Sequence, residues 1–232
     1  MLKSKKYLLL LNNRYPRKNN SYFLKKLKGA TTVAVDGGVR FFIKNKIYPD
    51  IIIGDFDSSP ALSNKYLSHM EVISFPRIKD KTDSQLALEM ALGRGATEIE
   101  ILGGVSATEI DHTIGNIFLL ELVNKFSRKN HRRISARILG PDYEITLLEN
   151  GSARFQGRRG EFVSIIPISE TVRVKYSGLD YPPPEGPLWF GESLPLRNQF
   201  TGGNCRIIAR GKVIIAVIHR KTADRRQFLD KK

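Results

Sequence analysis

One cysteine in 232 residues, Cys205, leaves no partner for an internal disulfide and no basis for a cysteine-built zinc site. Long apolar runs are missing as well. YLLLL at 7–11 and VIIAVI at 213–218 fall far short of the roughly 20 residues a membrane span needs. The basic N-terminal stretch runs straight into NNRYPRK without a small-residue cleavage site, which reads as a strand rather than a signal peptide. No G-x-x-x-x-G-K-[ST] and no G-x-G-x-x-G follows a strand pattern, which argues against a P-loop enzyme and against a dinucleotide dehydrogenase. Acidic residues are the minority, 23 against 38 Lys and Arg, for a net charge of +15. The basic residues are spread, with denser patches at 3–6, 14–28, 128–137 and 206–232. No run interleaves aromatics with arginine as an RNA-binding sheet does. Charge this diffuse fits a solvated surface or attraction to an anionic ligand. With 41% apolar residues an ordinary core can form. A cytoplasmic protein without a membrane partner is expected.

What is present changes character near residue 140. Before it, short apolar runs at 7–11, 32–35, 51–53, 71–75, 98–102 and 134–139 alternate with helical patterns at 21–28, 38–46, 83–92 and 111–125. The last of these sets Ile114, Ile117, Phe118 and Leu122 at helical spacing. TDSQ at 82–85 reads as a capping box, and at TEID, 108–111, either Thr108 or Asp111 suits a cap. Such alternation predicts a Rossmann-like α/β domain over 1–140, a mostly parallel sheet with helices on both faces. After it, LLENGSARF carries an Asn-Gly hairpin signal, and strand-length runs at 161–168, 171–178 and 204–219 predict a small antiparallel β domain over 141–232. Pro182, Pro183, Pro184 and Pro187 mark an irregular loop, and the polar tail KTADRRQFLDKK is expected to fray.

Parallel sheets bind ligands beyond the carboxyl ends of their strands. Acidic residues gather at those predicted ends: Asp36 in VAVDGG, Asp55 and Asp57 in DIIIGDFDSS, Asp80 and Asp83 in KDKTDSQ, Asp111 in DHT. Residues two apart in extended chain share a side, so Asp55 and Asp57 can aim at one centre. That many carboxylates on one edge would resist ionisation without a counter-charge, and Mg²⁺, hard and oxygen-seeking, supplies it together with a substrate's phosphates. Gly37 and Gly38 open a helix whose bare amides suit a phosphate. Taken singly, Asp83 or Asp111 suits a helix cap, Asp36 suits a turn, and His112 suits a structural role.

VDGGVRFF, PDIIIGDFDSS, KDKTDSQLALEMAL and DHTIGNIFLL, in this order, resemble the motifs of the thiamine pyrophosphokinase family, strongly over about 33–120. GLDYPPP at 178–184 and RNQF at 197–200 are similar to later family segments. The resemblance implies an α/β domain followed by a β-sandwich. It implies transfer of a pyrophosphoryl group from ATP to the thiamine hydroxyl, giving thiamine diphosphate and AMP, with Mg²⁺. It also implies a homodimer whose sites draw on both chains. Nucleic acid is not expected as a partner. Carried over residue by residue, Asp55, Asp57, Asp80 and Asp83 are the catalytic and metal-holding carboxylates. Asp36, Gly37, Gly38, Lys79, Lys81, Asp111, His112 and Asn116 receive ATP. Tyr181, Arg197 and Asn198 receive thiamine from the partner chain. Two positions depart from the family's pattern. Glu109 stands where it carries Arg and would repel nucleotide phosphates; Arg197 stands where it carries Ser and adds positive charge beside a cationic substrate. The residues leave two other functions open, a pyrophosphokinase of another hydroxymethyl heterocycle such as a pterin, and a basic nucleic-acid-binding protein on an inactive scaffold.

Overall fold

A computed structural model describes residues 5–56 and 62–219. Asp57 and the tail 220–232 therefore lie outside the described residues. The chain divides into two compact units between Leu139 and Gly140.

The first unit is built from β1 (Lys6–Leu10), α1 (Asn20–Leu27), β2 (Thr31–Val35), α2 (Val39–Lys44), β3 (Ile51–Gly54), α3 (Asn64–Leu67), β4 (Glu71–Ser74), α4 (Asp83–Gly93), β5 (Glu98–Leu102), α5 (Ile110–Lys129) and β6 (Ser135–Gly140). The six strands form a parallel sheet in the order β6-β5-β1-β2-β3-β4. Strands buried on both faces read as continuous apolar runs, which is why Leu8, Leu9 and Leu10 follow one another and are all fully buried. Each contributes roughly 1.5–3 kcal/mol by leaving water. Leu8, Leu10, Ala34 and Ile52 pack with Phe23 of α1 and with Phe41 and Phe42 of α2. The alternate residues Leu9, Val33 and Ile53 are as buried, and α4 lies against β1, β2 and β3. The chain walks from β1 outward to β4, then returns to place β5 on the other side of β1. Beside β1 the connections diverge, and a crevice opens there.

The helix at 111–125 forms, as α5, but its buried positions are Asn116, Leu119, Leu120 and Val123. Ile114 and Phe118 are exposed, so part of the expected apolar face looks outward, with Ile110 continuing the stripe. The capping box at Thr82 is half made. Its hydroxyl accepts from Gln85 N, while the Gln85 amide turns away to Glu89. At α5 neither Thr108 nor Asp111 caps: the N-cap position is Glu109, and it makes no side-chain bond to the helix. Thr113 instead closes the preceding loop, its hydroxyl accepting from Ser106 N at 2.9 Å and donating to Ser106 O at 3.0 Å.

The second unit holds β7 (Tyr143–Gly157), β8 (Phe162–Pro167), β9 (Thr171–Ser177), β10 (Leu188–Trp189), β11 (Asn198–Gln199) and β12 (Gly203–Ile218). It is antiparallel throughout. The long strand β12 runs beside β7 for its whole length, pairs β9 with its first half and β8 with its second. One core takes Val172, Val174, Cys205 and Ile207 from the first layer and Val163, Ile165, Val213 and Ile215 from the second. Two layers facing across a shared core make a small β-sandwich. The Asn-Gly pair was expected to turn a hairpin, and it does not: β7 continues through it. Asn150 takes φ +44°, and its Oδ1 accepts from Gly211 N at 2.8 Å, opposite a register shift between Ala209 and Lys212. The positive φ serves a bulge that bends the ladder. Cys205 is buried in the core, and burial pushes its thiol up to about 11.

Candidate active site

A cleft of about 250 Å³ opens where β1, β2 and β5 end and α4 and α5 begin. Asp36, Asp83, His112 and Asn116 line it, so the structure brings together four expected residues separated by up to 80 positions. Asp36 follows β2 at φ +47°, a region a non-glycine side chain enters at a cost. Gly54, at the end of β3, makes room for it: a Cβ there would stand 3.2 Å from the Asp36 Cα. A Cβ on Gly38 would run into the carbonyl oxygen of Leu10. The Asp-Gly-Gly turn thus lies tight on the central strand, and both glycines are buried.

Lys79 is the electrostatic centre. Its Nζ sits 3.0 Å from Asp55 Oδ2 and 3.0 Å from Asp83 Oδ1, with all three side chains largely buried. Burial works against the Lys79 charge, yet the bonds to Asp83 and Asp55 outweigh it and hold the ammonium above its ordinary range. Asp83 shows the reverse balance. Burial raises its carboxyl above the ordinary range, the Lys79 bond only partly offsets this, and the charges of Asp55 and Asp36 add to it. Among the described residues Asp36 Oδ1 is buried without a hydrogen bond, and Asp83 Oδ1 accepts no directed hydrogen bond although the Lys79 ammonium is close. No group of three or more His, Cys, Asp or Glu is assembled to hold a metal among the described residues. Two carboxylates share Lys79, Asp80 is exposed, and Asp57 falls outside. Lys81 is bonded to Glu89 at 2.8 and 3.0 Å. Asp111 is exposed and does not line the cleft. Asn116 is buried and donates to Gly104 O at 3.2 Å, which fixes the loop after β5.

Sequence reasoning passed over the end of β1. Leu11 and Asn12 line the cleft, and the Asn13 amide donates to Gly103 O and Val105 O at 2.8 Å, tying the β1 and β5 loops together. The signal was available: a first strand at the centre of such a sheet puts its following loop in the crevice. Arg40 Nη1 reaches Asn12 Oδ1 at 3.4 Å and brings a cation to the rim. Glu109 lines the cleft as well, so the departure from the family's basic residue lies where a ligand would meet it.

In the second unit, Tyr181 is 65% exposed. Asn198 is buried, and its side chain holds the Tyr181 backbone from both sides, accepting from Tyr181 N at 3.0 Å and donating to Tyr181 O at 3.1 Å. The Arg197 guanidinium lies 4.2 Å from the Phe162 ring centroid, which gives its charge a π-face.

Residues 24–132 match the family model described as thiamin pyrophosphokinase, catalytic domain. A thiamine pyrophosphokinase of Bacillus subtilis (strain 168) is 26% identical over 171 residues, 72% of this chain and 77% of the relative. The crystal structure of thiamine pyrophosphokinase from Bacillus subtilis has TM-score 0.77 at 22% identity, covering 94% of this chain and 100% of that one. The thiamin pyrophosphokinase of Candida albicans has TM-score 0.75 at 16% identity, covering 94% and 90%. At such identities the solved structures bear on fold alone. Nothing among these relatives supports the pterin or nucleic-acid alternatives. Over residues 24–132 the chain is thus similar to the thiamin pyrophosphokinase catalytic domain, and its fold is that of the solved thiamin pyrophosphokinases.

Proposed function

We propose that this protein transfers a pyrophosphoryl group from ATP to the hydroxyl of thiamine, releasing AMP. The observation that carries this is the Asp55–Lys79–Asp83 group, whose Asp83 lines, with Asp36, a cleft on the carboxyl edge of a parallel sheet. The thiamine oxygen bonds to the β-phosphorus, the bond from that phosphorus to the oxygen bridging the α-phosphate breaks, and the hydroxyl proton passes to a carboxylate. Such transfers depend on positioning and on neutralising phosphate charge. Asp55 and Asp83 fit Mg²⁺ by chemistry: hard, largely buried oxygens, with an Oδ1 on neighbouring Asp36 that makes no hydrogen bond among the described residues. Asp57 and Asp80 join them by resemblance. The ion supplies neutralising charge on the phosphates. The chain's own contribution is to hold Lys79 between the carboxylates and to let Asn116 and Asn13 fix the loop against which the nucleotide lies.

The acceptor ring is assigned to Tyr181 of the partner subunit, whose exposed face can meet a cation for roughly 0.5–2 kcal/mol. A homodimer is part of the proposal. Exposed Ile110, Ile114 and Phe118 on α5, and Trp189, Phe190 and Leu194 in the second unit, supply apolar surface suited to a partner. The cytoplasmic setting expected from the sequence is kept.

The test is incubation with Mg-ATP and a panel of hydroxylated heterocycles, with AMP release followed. Release with thiamine is expected; release only with another acceptor would change the substrate. Tyr181→Ala is expected to raise the thiamine KM about tenfold and leave the ATP KM in place, and an unchanged thiamine KM would remove Tyr181 from the site. Glu109→Arg is expected to lower the ATP KM severalfold, because it exchanges repulsion for attraction at the cleft wall. An unaltered KM would mean that Arg40 already supplies the phosphate-facing charge.

A further inference from the structure

The second unit carries a groove of about 810 Å³ that holds none of Tyr181, Arg197 or Asn198. Its floor is the outer face of the sheet, where β9 and β12 alternate buried and exposed residues. The register sets Arg210 directly opposite Arg173, and Ile208 opposite Lys175. On the same face Arg206 stands opposite Arg154 of β7. Like charges directly opposed on neighbouring strands destabilise a sheet. Here two arginine pairs and a lysine share one face. Among the described residues none of the five side chains makes an ion pair or a hydrogen bond. Pro183, Pro184 and Gly186 form the wall of the groove, and Glu185 is the one carboxylate lining it among the described residues.

We infer that this groove is a second ligand site, taking an organic phosphate of nucleotide size. Three cations, Arg173, Lys175 and Arg210, surround one volume and offer charge-assisted hydrogen bonds to phosphate oxygens. The volume lies in the range of small-molecule sites and is far larger than an inorganic phosphate needs. Ile208 on the floor and the two prolines on the wall give apolar surface beside the cations, which suits a ligand with a ring as well as a phosphate. Arg154 and Arg206 extend the positive field along the face and draw anions toward it. Tyr176 also lines the groove, and exposed Trp189 stands opposite Thr171 on the same face, so a ring held beside the cations has aromatic surface near it. The site does not rest on the catalytic assignment.

The test is calorimetric titration of the full chain with ADP in EDTA, where metal-dependent nucleotide binding is suppressed. The parent is expected to bind, with affinity that falls as salt rises. Arg173→Gln with Arg210→Gln is expected to weaken that binding by about tenfold per arginine. AMP release at saturating substrates stays unchanged, and thermal stability does not fall, because opposed charges have been removed. Unchanged ADP affinity in a folded double variant would overturn the site. Binding of a single-stranded oligonucleotide that ADP fails to displace would overturn the ligand class. Binding lost together with AMP release would place ADP in the catalytic cleft and overturn the second site.

Discussion

Asp83→Asn is expected to stop AMP release in a protein that stays folded and gains stability at neutral pH. The carboxylate sits in a buried corner with Lys79 and Asp55, and Asp36 adds to the negative field. Burial raises its pKa above the ordinary range, so the fold favours its protonated form. A raised folded pKa means that this contribution to stability is complete below the ordinary carboxylate range and is lost as pH rises through the folded value. At neutrality the native protein therefore holds an ionised group it disfavours. Asparagine keeps the shape and removes the charge, and Lys79 keeps its bond to Asp55 at 3.0 Å. Thermal unfolding from about pH 4 to 8 should show the variant's advantage appearing as pH rises. AMP release should fall at least about a hundredfold, the usual scale for losing one preorganised charged group at a phosphate site. Added Mg²⁺ should raise the melting temperature of the parent and leave the variant's nearly fixed. A variant that turns over normally would remove Asp83 from the chemistry; one that merely unfolds would remove the electrostatic account of its cost.

Gly38→Ala is expected to destabilise the first unit by about 3 kcal/mol, the upper end of what an unaccommodated methyl costs in a packed interior. The added carbon would meet the Leu10 carbonyl, which belongs to the central strand and cannot turn aside like a flexible side chain. Neighbouring Asp36 would shift with the turn, so residual folded protein should also lose AMP release. Denaturant unfolding checks the first effect, and activity per folded molecule checks the second. A variant of parental stability would mean that the turn has slack, and the tight seating of Asp36 against the sheet would fall with it.

Much of the fold is legible because strands buried on both faces must be apolar without interruption. III at 51–53 and EIEIL at 98–102 have no helical alternative at that length beside their glycines and capping signals. Where two outcomes use the same residue types, the sequence misleads. Asn150-Gly151 has the chemistry of a hairpin, yet positive φ serves a bulge equally well, and only the strand lying opposite, with its own irregularity at 209–212, selects one. Ile114 and Phe118 share helical spacing with the residues that are buried, and periodicity alone does not say which side of α5 faces the sheet. Thr108 and Asp111 have capping chemistry, but the chain enters α5 at an angle that gives the loop-closing role to Thr113.

The site divides along the same line. Local pattern places Asp36, Asp83 and Asp111 at one edge, because strand ends and helix starts can be read from it; the fold keeps Asp36 and Asp83 in the cleft and leaves Asp111 exposed, while His112 and Asn116 are assigned to the ligand by resemblance. Lys79 and Lys81 have equal standing in the sequence, whereas the fold joins Lys79 to Asp55 and Asp83 and leaves Lys81 with Glu89 one helical face away. By itself the sequence determined the alternation of strands and helices, the change to antiparallel sheet after residue 140, and the carboxylates at the strand ends, since each follows from residues near one another in the chain. Tertiary structure alone decided which charges meet. Arg173 and Arg210, or Arg154 and Arg206, are scattered through a diffuse basic sequence until strand pairing sets them side by side. Electrostatic energy depends on distance in space, and the chain order does not contain it.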